Sequence, residues 1–239
     1  MNKLRAPSTY KRIFFIRHGQ SEANVTKNDR VIDLDAKLTP LGRSQASAWH
    51  AQPNYLSEVF DATPPEICIC SPLRRAMETA SLVFKHTTIP IECSRYPRER
   101  WWKHYQCVGS KHQETLSFAS TLDRNIANLD DLTEVDKYWN PPLELEELVS
   151  YRDGNDHAEE KYEPSKREND AQGMTKLKEF LIAHPAQTIA VACHWGVINA
   201  LTEESPNNCD MLVTDLDVNT GELLVLQQLQ PPGDVETSV

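Results

Sequence analysis

The sequence predicts an α/β fold: a three-layer α/β/α sandwich with a mostly parallel central sheet and an acidic insertion. Short runs that are apolar on both faces alternate with runs of helical spacing, the pattern of a parallel sheet covered on both sides. Hydroxyl and proline residues stand where such helices would begin. A block of acidic residues without that alternation marks the insertion.

In chain order, segment 11–17 (KRIFFIR) reads as the first central strand. Thr39-Pro40 then offers a capping hydroxyl and an N1 proline for a helix over 41–50. Segment 66–70 (EICIC) is the second strand, and Ser71-Pro72 repeats the start signal for a helix over 73–84. Segment 89–93 is a weaker strand. The stretch 133–170 carries 12 acidic and 5 basic residues, a Pro141-Pro142 pair and few aliphatics, and is expected to form an insertion or lid. A helix is expected over 174–183 and a strand over 188–193 (TIAVAC). Segment 222–229 suits an antiparallel edge, and 231–239 a flexible tail. All 239 residues are expected in one histidine- and arginine-bearing domain, long enough for a sizeable core.

With 25 Lys+Arg against 35 Asp+Glu the formal net charge is -10. Such a chain is repelled by nucleic-acid backbones and anionic lipid, so neither is expected as a partner. Seven of the ten excess negatives fall in 133–170, which leaves the remainder nearly balanced. A small anionic substrate stays compatible, because the field at the site decides. If the insertion covers that site, it should disfavour highly anionic substrates. No apolar run approaches the ~18 residues of a membrane span. The segment before Tyr10 is not hydrophobic, so no secretory leader is expected. Cys68, Cys70, Cys93, Cys107, Cys193 and Cys209 form no C-x-x-C pair. They are expected as small buried hydrophobes in a reducing, cytoplasmic setting.

Reactive residues gather directly after three of the strands. They are Arg17-His18-Gly19, Ser71-Pro72-Leu73-Arg74-Arg75-Ala76 and His194-Trp195-Gly196. Ligands of an open parallel sheet bind at the carboxyl ends of its strands, so two histidines and two arginines would share one mouth. Arginine matches phosphate oxygens bidentately and stays charged, and an unprotonated imidazole nitrogen is a competent nucleophile toward phosphorus. Gly19 would allow close backbone approach to the phosphate. His86, His104, His112, His157 and His184 show no metal-ligand spacing, and no metal or cofactor is expected.

Four ordered segments sharpen this. Phe14-Phe15-Ile16-Arg17-His18-Gly19-Gln20-Ser21-Glu22-Ala23-Asn24 resembles the R-H-G signature of the histidine phosphatase superfamily, in its phosphoglycerate-mutase-like branch. Leu38-Thr39-Pro40-Leu41-Gly42-Arg43-Ser44-Gln45-Ala46 resembles that family's L-T-x-x-G-x-x-Q-A stretch. Segment 71–80 (SPLRRAMETA) resembles its S-x-L-x-R-A-x-x-T-A helix start, and Ala192-Cys193-His194-Trp195-Gly196-Val197-Ile198 its second-histidine segment.

The resemblance implies a metal-independent phosphomonoesterase that passes through phosphohistidine on a small phosphate ester. Position by position, His18 would be the nucleophile. Arg17, Arg75 and His194 would complete the phosphate pocket, with Asn24 in support. Arg74 would lie on the rim. The proton donor would be Glu99, in the loop after the third strand, in preference to Glu92 or Glu114. Trp101 and Trp102 would desolvate it and raise its pKa. Trp195 after His194 argues against the acid-phosphatase branch. The mutase pattern after the donor is fragmentary in Glu99-Arg100-Trp101-Trp102-Lys103-His104-Tyr105. A phosphoglycerate-type mutase and a non-catalytic phospho-ligand module are the alternatives. Oligomeric state is open.

Overall fold

The computed structural model describes residues 9–25, 35–50, 59–60, 63–100, 107, 109–129, 132 and 172–233. Among these, seven strands form one sheet: β1 (Tyr10–Arg17), β2 (Ile67–Cys70), β3 (Ile91–Cys93), β4 (Ile126–Ala127), β5 (Thr188–Cys193), β6 (Met211–Asp217) and β7 (Leu223–Leu229). Their order is β4-β3-β2-β5-β1-β6-β7. Neighbours from β4 to β1 run parallel, while β6 and β7 pair antiparallel at one side. The helices are α1 (Glu22–Val25), α2 (Pro40–Ala48), α3 (Arg74–Val83), α4 (His112–Ala119), α5 (172–183) and α6 (Trp195–Thr202).

The apolar runs that predicted central strands divide between two cores by the period-2 alternation of side chains. Phe14, Ile16, Cys68, Cys70, Ala190 and Ala192 face the layer of α2, α3 and α4, with Ala46, Met77, Ala80 and Ala119. Ile13, Phe15, Ile67, Ile69, Ile189 and Val191 face the layer of α5 and α6, with Leu177, Leu181, Val197 and Ile198. Each buried Phe or Ile of β1 stabilises the sandwich by about 1.5–3 kcal/mol. The three layers follow from this two-sided burial. All six cysteines are buried free thiols.

Several boundaries moved. Thr39 does cap α2: its Oγ1 accepts from Gly42 N at 3.0 Å, with Pro40 at the first turn. Ser71 does not cap α3. That helix starts at Arg74, after Leu73, and the Ser71 hydroxyl is held within the site described below. The orphan N–H of Arg74 donates instead to the buried Asp35 Oδ1 at 2.7 Å, a cap supplied from 39 residues away. β6, β4, α4 and α6 were not foreseen. β6 is mostly buried yet carries Asp215 and Asp217, and the charge of Asp215 is met by Arg12 Nε at 2.6 Å. The stretch 133–170, residues 29–34 and the tail beyond residue 233 lie outside the described residues.

Candidate active site

Parallel register brings the chemistry together. Arg17 pairs with Cys193, Cys70 with Ala192, and Cys70 with Cys93. The residues that follow, His18, His194, Ser71 and Ser94, therefore sit in a row along the carboxyl edge of the sheet. Backbone bonds continue the ladder one step further: His18 N to Cys193 O at 3.0 Å, Ser71 N to Ala192 O at 2.9 Å, and Ser94 N to Cys70 O at 3.0 Å. Strand order thus places β1, β5 and β2 side by side, with the loop leading to Glu99 beside them.

His18 is buried, and its two ring nitrogens have different tasks. Nδ1 lies 2.7 Å from Gly19 O. A carbonyl only accepts, so Nδ1 carries the proton and Nε2 keeps its lone pair. Arg75 Nε donates to that Nε2 at 3.3 Å. Burial first, then the charges of Arg75 and Arg17, hold the His18 pKa well below the ordinary imidazole value. The ring of His194 stands 5.2 Å away, tilted by 59°. Its Nε2 lies 2.8 Å from Ser71 Oγ, and its buried Nδ1 has no partner among the described residues. Burial, with Arg75, His18 and Arg17, keeps it neutral as well.

Arg17 donates from Nη1 to Pro206 O at 2.9 Å, and its buried Nε has no partner among the described residues. Arg75, not Arg74, reaches the imidazole. Arg74 is no open rim residue, because it lies 3.7 Å from both Asp35 and Glu114 and stacks over Phe118. Asn24 is half-buried, and its Oδ1 accepts from Ser21 N and Ser21 Oγ.

Glu99 Oε1 accepts from Arg100 N at 2.9 Å, and the Gly196 N–H at the start of α6 also reaches the carboxylate. Burial raises its pKa, while Arg75, Arg17 and these N–H groups pull the other way. Glu92 and Glu114 are engaged elsewhere, by Asn128 and Arg74. Trp101, Trp102, Lys103 and His104 lie outside the described residues.

Gly19 is also required by the packing of the backbone. Its N–H donates to Thr79 Oγ1 at 3.0 Å, and a Cβ there would stand 2.5 Å from Gly42 O. A Cβ on Gly42 would in turn stand 2.0 Å from Gln20 O. The two glycines let two backbones touch, and Gln45 Oε1 closes the contact by accepting from Gln20 N at 2.8 Å. Sequence reasoning missed Asn208 and Asp210. Neither follows a strand or belongs to a quoted motif, so no local signal marked them.

Fold and site define a class: an α/β sandwich with paired neutral imidazoles and two arginines at the carboxyl edge of a mostly parallel sheet. Residues 13–131 match the histidine phosphatase superfamily (branch 1), and the chain belongs to that superfamily. A glucosyl-3-phosphoglycerate phosphatase of Mycobacterium tuberculosis is 33% identical over 89 residues, covering 37% of this chain and 36% of that protein. A Schizosaccharomyces pombe protein named as a probable phosphatase is 37% identical over 78 residues, covering 32% of this chain and 33% of that one. The chain spans about a third of the length of the curated relatives it matches. The phosphoglycerate mutase of Bacillus anthracis shares the fold, with a TM-score of 0.52 at 16% identity over 91% of this chain and 92% of that one. No helix among the described residues is long and apolar enough to cross a membrane.

Proposed function

We propose that the chain is a metal-independent phosphomonoesterase acting on a small phosphate ester through a phosphohistidine at His18. The observation that carries this reading is the fixed tautomer of His18: Nδ1–H is spent on Gly19 O, which leaves Nε2 as a lone pair facing Arg75. In the first step Nε2 forms a bond to phosphorus and the ester P–O bond breaks, while the departing oxygen takes a proton from Glu99. In the second, water forms the new P–O bond as the N–P bond breaks, and Glu99 takes the water proton.

Arg17, Arg75 and His194 Nδ1 are donors for the equatorial oxygens, where charge concentrates in the transition state. With its proton on Nδ1, the neutral His194 accepts at Nε2 from the Ser71 hydroxyl. The name of the Mycobacterium tuberculosis relative supports a phosphorylated sugar-acid type of substrate without specifying one for this chain.

The test is hydrolysis of an aryl phosphate. His18→Ala should lower turnover by about 10⁴-fold or more, and EDTA should leave the wild type unchanged. Full activity in the alanine variant would overturn the reading. Phosphate transfer within a phosphoglycerate, in a coupled assay and in preference to hydrolysis, would convert it to a mutase.

A further inference from the structure

The turn between α6 and β6 passes behind the Arg17-His18 pair, and it is built to grip. Arg17 N donates to Asp210 O at 3.1 Å, while Cys209 N donates back to Arg17 O at 3.1 Å and to His18 O at 3.2 Å. Cys209 adopts a left-handed φ of 68°, and its carbonyl accepts from Trp49 Nε1 at 3.0 Å. Within this turn Asn208 is buried, and its Nδ2 donates twice: to His18 O at 3.1 Å and to Asn24 Oδ1 at 3.3 Å.

These two contacts are not equivalent. His18 O is also held by Cys209 N, so the backbone of the turn secures the nucleophile without the Asn208 side chain. What the side chain alone provides is the link to Asn24. There it joins Ser21 N at 2.9 Å and Ser21 Oγ at 3.0 Å on a single oxygen. Three donors on Oδ1 fix which way the Asn24 amide points, and among the described residues leave its NH₂ group as the part with bonds still to give. A reversed Asn208 amide would set its own oxygen against two acceptors, so the network determines both amides at once.

We propose that Asn208 is a positioning residue that acts through Asn24, holding the Asn24 NH₂ as a donor to an oxygen of the phosphate. The proposal rests on the phosphomonoesterase reading. It assigns a function to a side chain 184 residues from the one it orients.

The test is a double-mutant cycle read as affinity for inorganic phosphate, measured as competitive inhibition and by calorimetry, with thermal melts on every variant. Asn208→Ala should weaken phosphate binding about fivefold, the worth of one neutral hydrogen bond. In an Asn24→Ala background the same change should cost nothing further, because the route through Asn24 is gone. Asn208→Asp keeps the shape of the side chain and faces His18 O and Asn24 Oδ1 with acceptors. It should weaken phosphate more than alanine does, and it serves if the alanine variant melts early. Equal losses in both backgrounds would overturn the proposal and leave Asn208 a structural residue. No loss in either variant would overturn it too. A wild type that binds no inorganic phosphate would overturn the phosphomonoesterase reading, and this proposal with it.

Discussion

His18 and Glu99 belong to one site, yet they are supported in opposite ways. His18 is held by directional bonds on every side: its N–H to β5, its carbonyl to the 206–210 turn, Nδ1 to Gly19 O and Nε2 to Arg75. Glu99 sits in a loop. Its carboxyl is held by the N–H of its own neighbour Arg100, by the Gly196 N–H, and by the charges of Arg75 and Arg17. One side of the site is set by strand register and the other by the local field. Errors of position should therefore dominate on the His18 side, and errors of protonation on the Glu99 side.

Arg75 acts on both regions, by a hydrogen bond to His18 and by its charge on Glu99, and its removal is the most damaging way to break the contrast. Arg75→Ala should lower kcat for an aryl phosphate by about 10²–10³-fold. It should also raise the pKa of His18, because a cation that opposes imidazole protonation is gone. The pH–rate profile of the variant checks this: its acid limb should move to higher pH than in the wild type. An unmoved acid limb would mean that Arg75 does not act on His18.

Glu99→Gln isolates the protonation side. With an alkyl phosphate, whose leaving oxygen needs a proton, kcat should fall by about 10²-fold. With a nitrophenyl phosphate the loss should be much smaller, because that leaving group departs as an anion. With Glu99 as the proposed proton donor, its raised carboxyl pKa should set the alkaline limb of the wild type, because the donor is lost as pH rises through it. In the variant that limb should disappear. Equal losses on both substrates would assign Glu99 to binding instead.

The smallest expected effect is on stability. His18 and His194 are buried neutral, with pKa values well below ordinary imidazole. The unfolded chain takes up their protons near pH 6.5, at about the ordinary imidazole pKa. The native state does so only at lower pH, so stability is intact above that value and is lost as pH falls below it. His18→Gln should give a shallower fall of Tm between neutral and mildly acidic pH, by a few degrees. A slope equal to that of the wild type would contradict the buried neutral imidazole.

The same division explains what could be read from the amino-acid order. The runs 11–17, 66–70 and 188–193 are apolar on both faces, and parallel strands so composed must end on one edge. The histidines and arginines that follow them were therefore legible as a group. Ser71 was misread as a helix cap, since a serine before proline has the same local signature whether it caps or holds an imidazole. Asn208 and Asp210 were not legible at all. Each reaches the site by a contact across a long stretch of chain, from a turn with no periodicity of its own. The motif glycines were visible, but their reason, backbone against backbone between Gly19 and Gly42, needed the fold.

In the proposed reaction Nε2 of His18 carries the phosphoryl group. Rapid quench of the wild type with radiolabelled phosphate ester, followed by peptide mapping under alkaline conditions that preserve phosphohistidine, tests it most directly. Label should appear within the first turnover on the peptide containing His18, at Nε2, and be absent from His18→Ala. Label on His194, or turnover in a single displacement with no labelled protein at any time point, would contradict it.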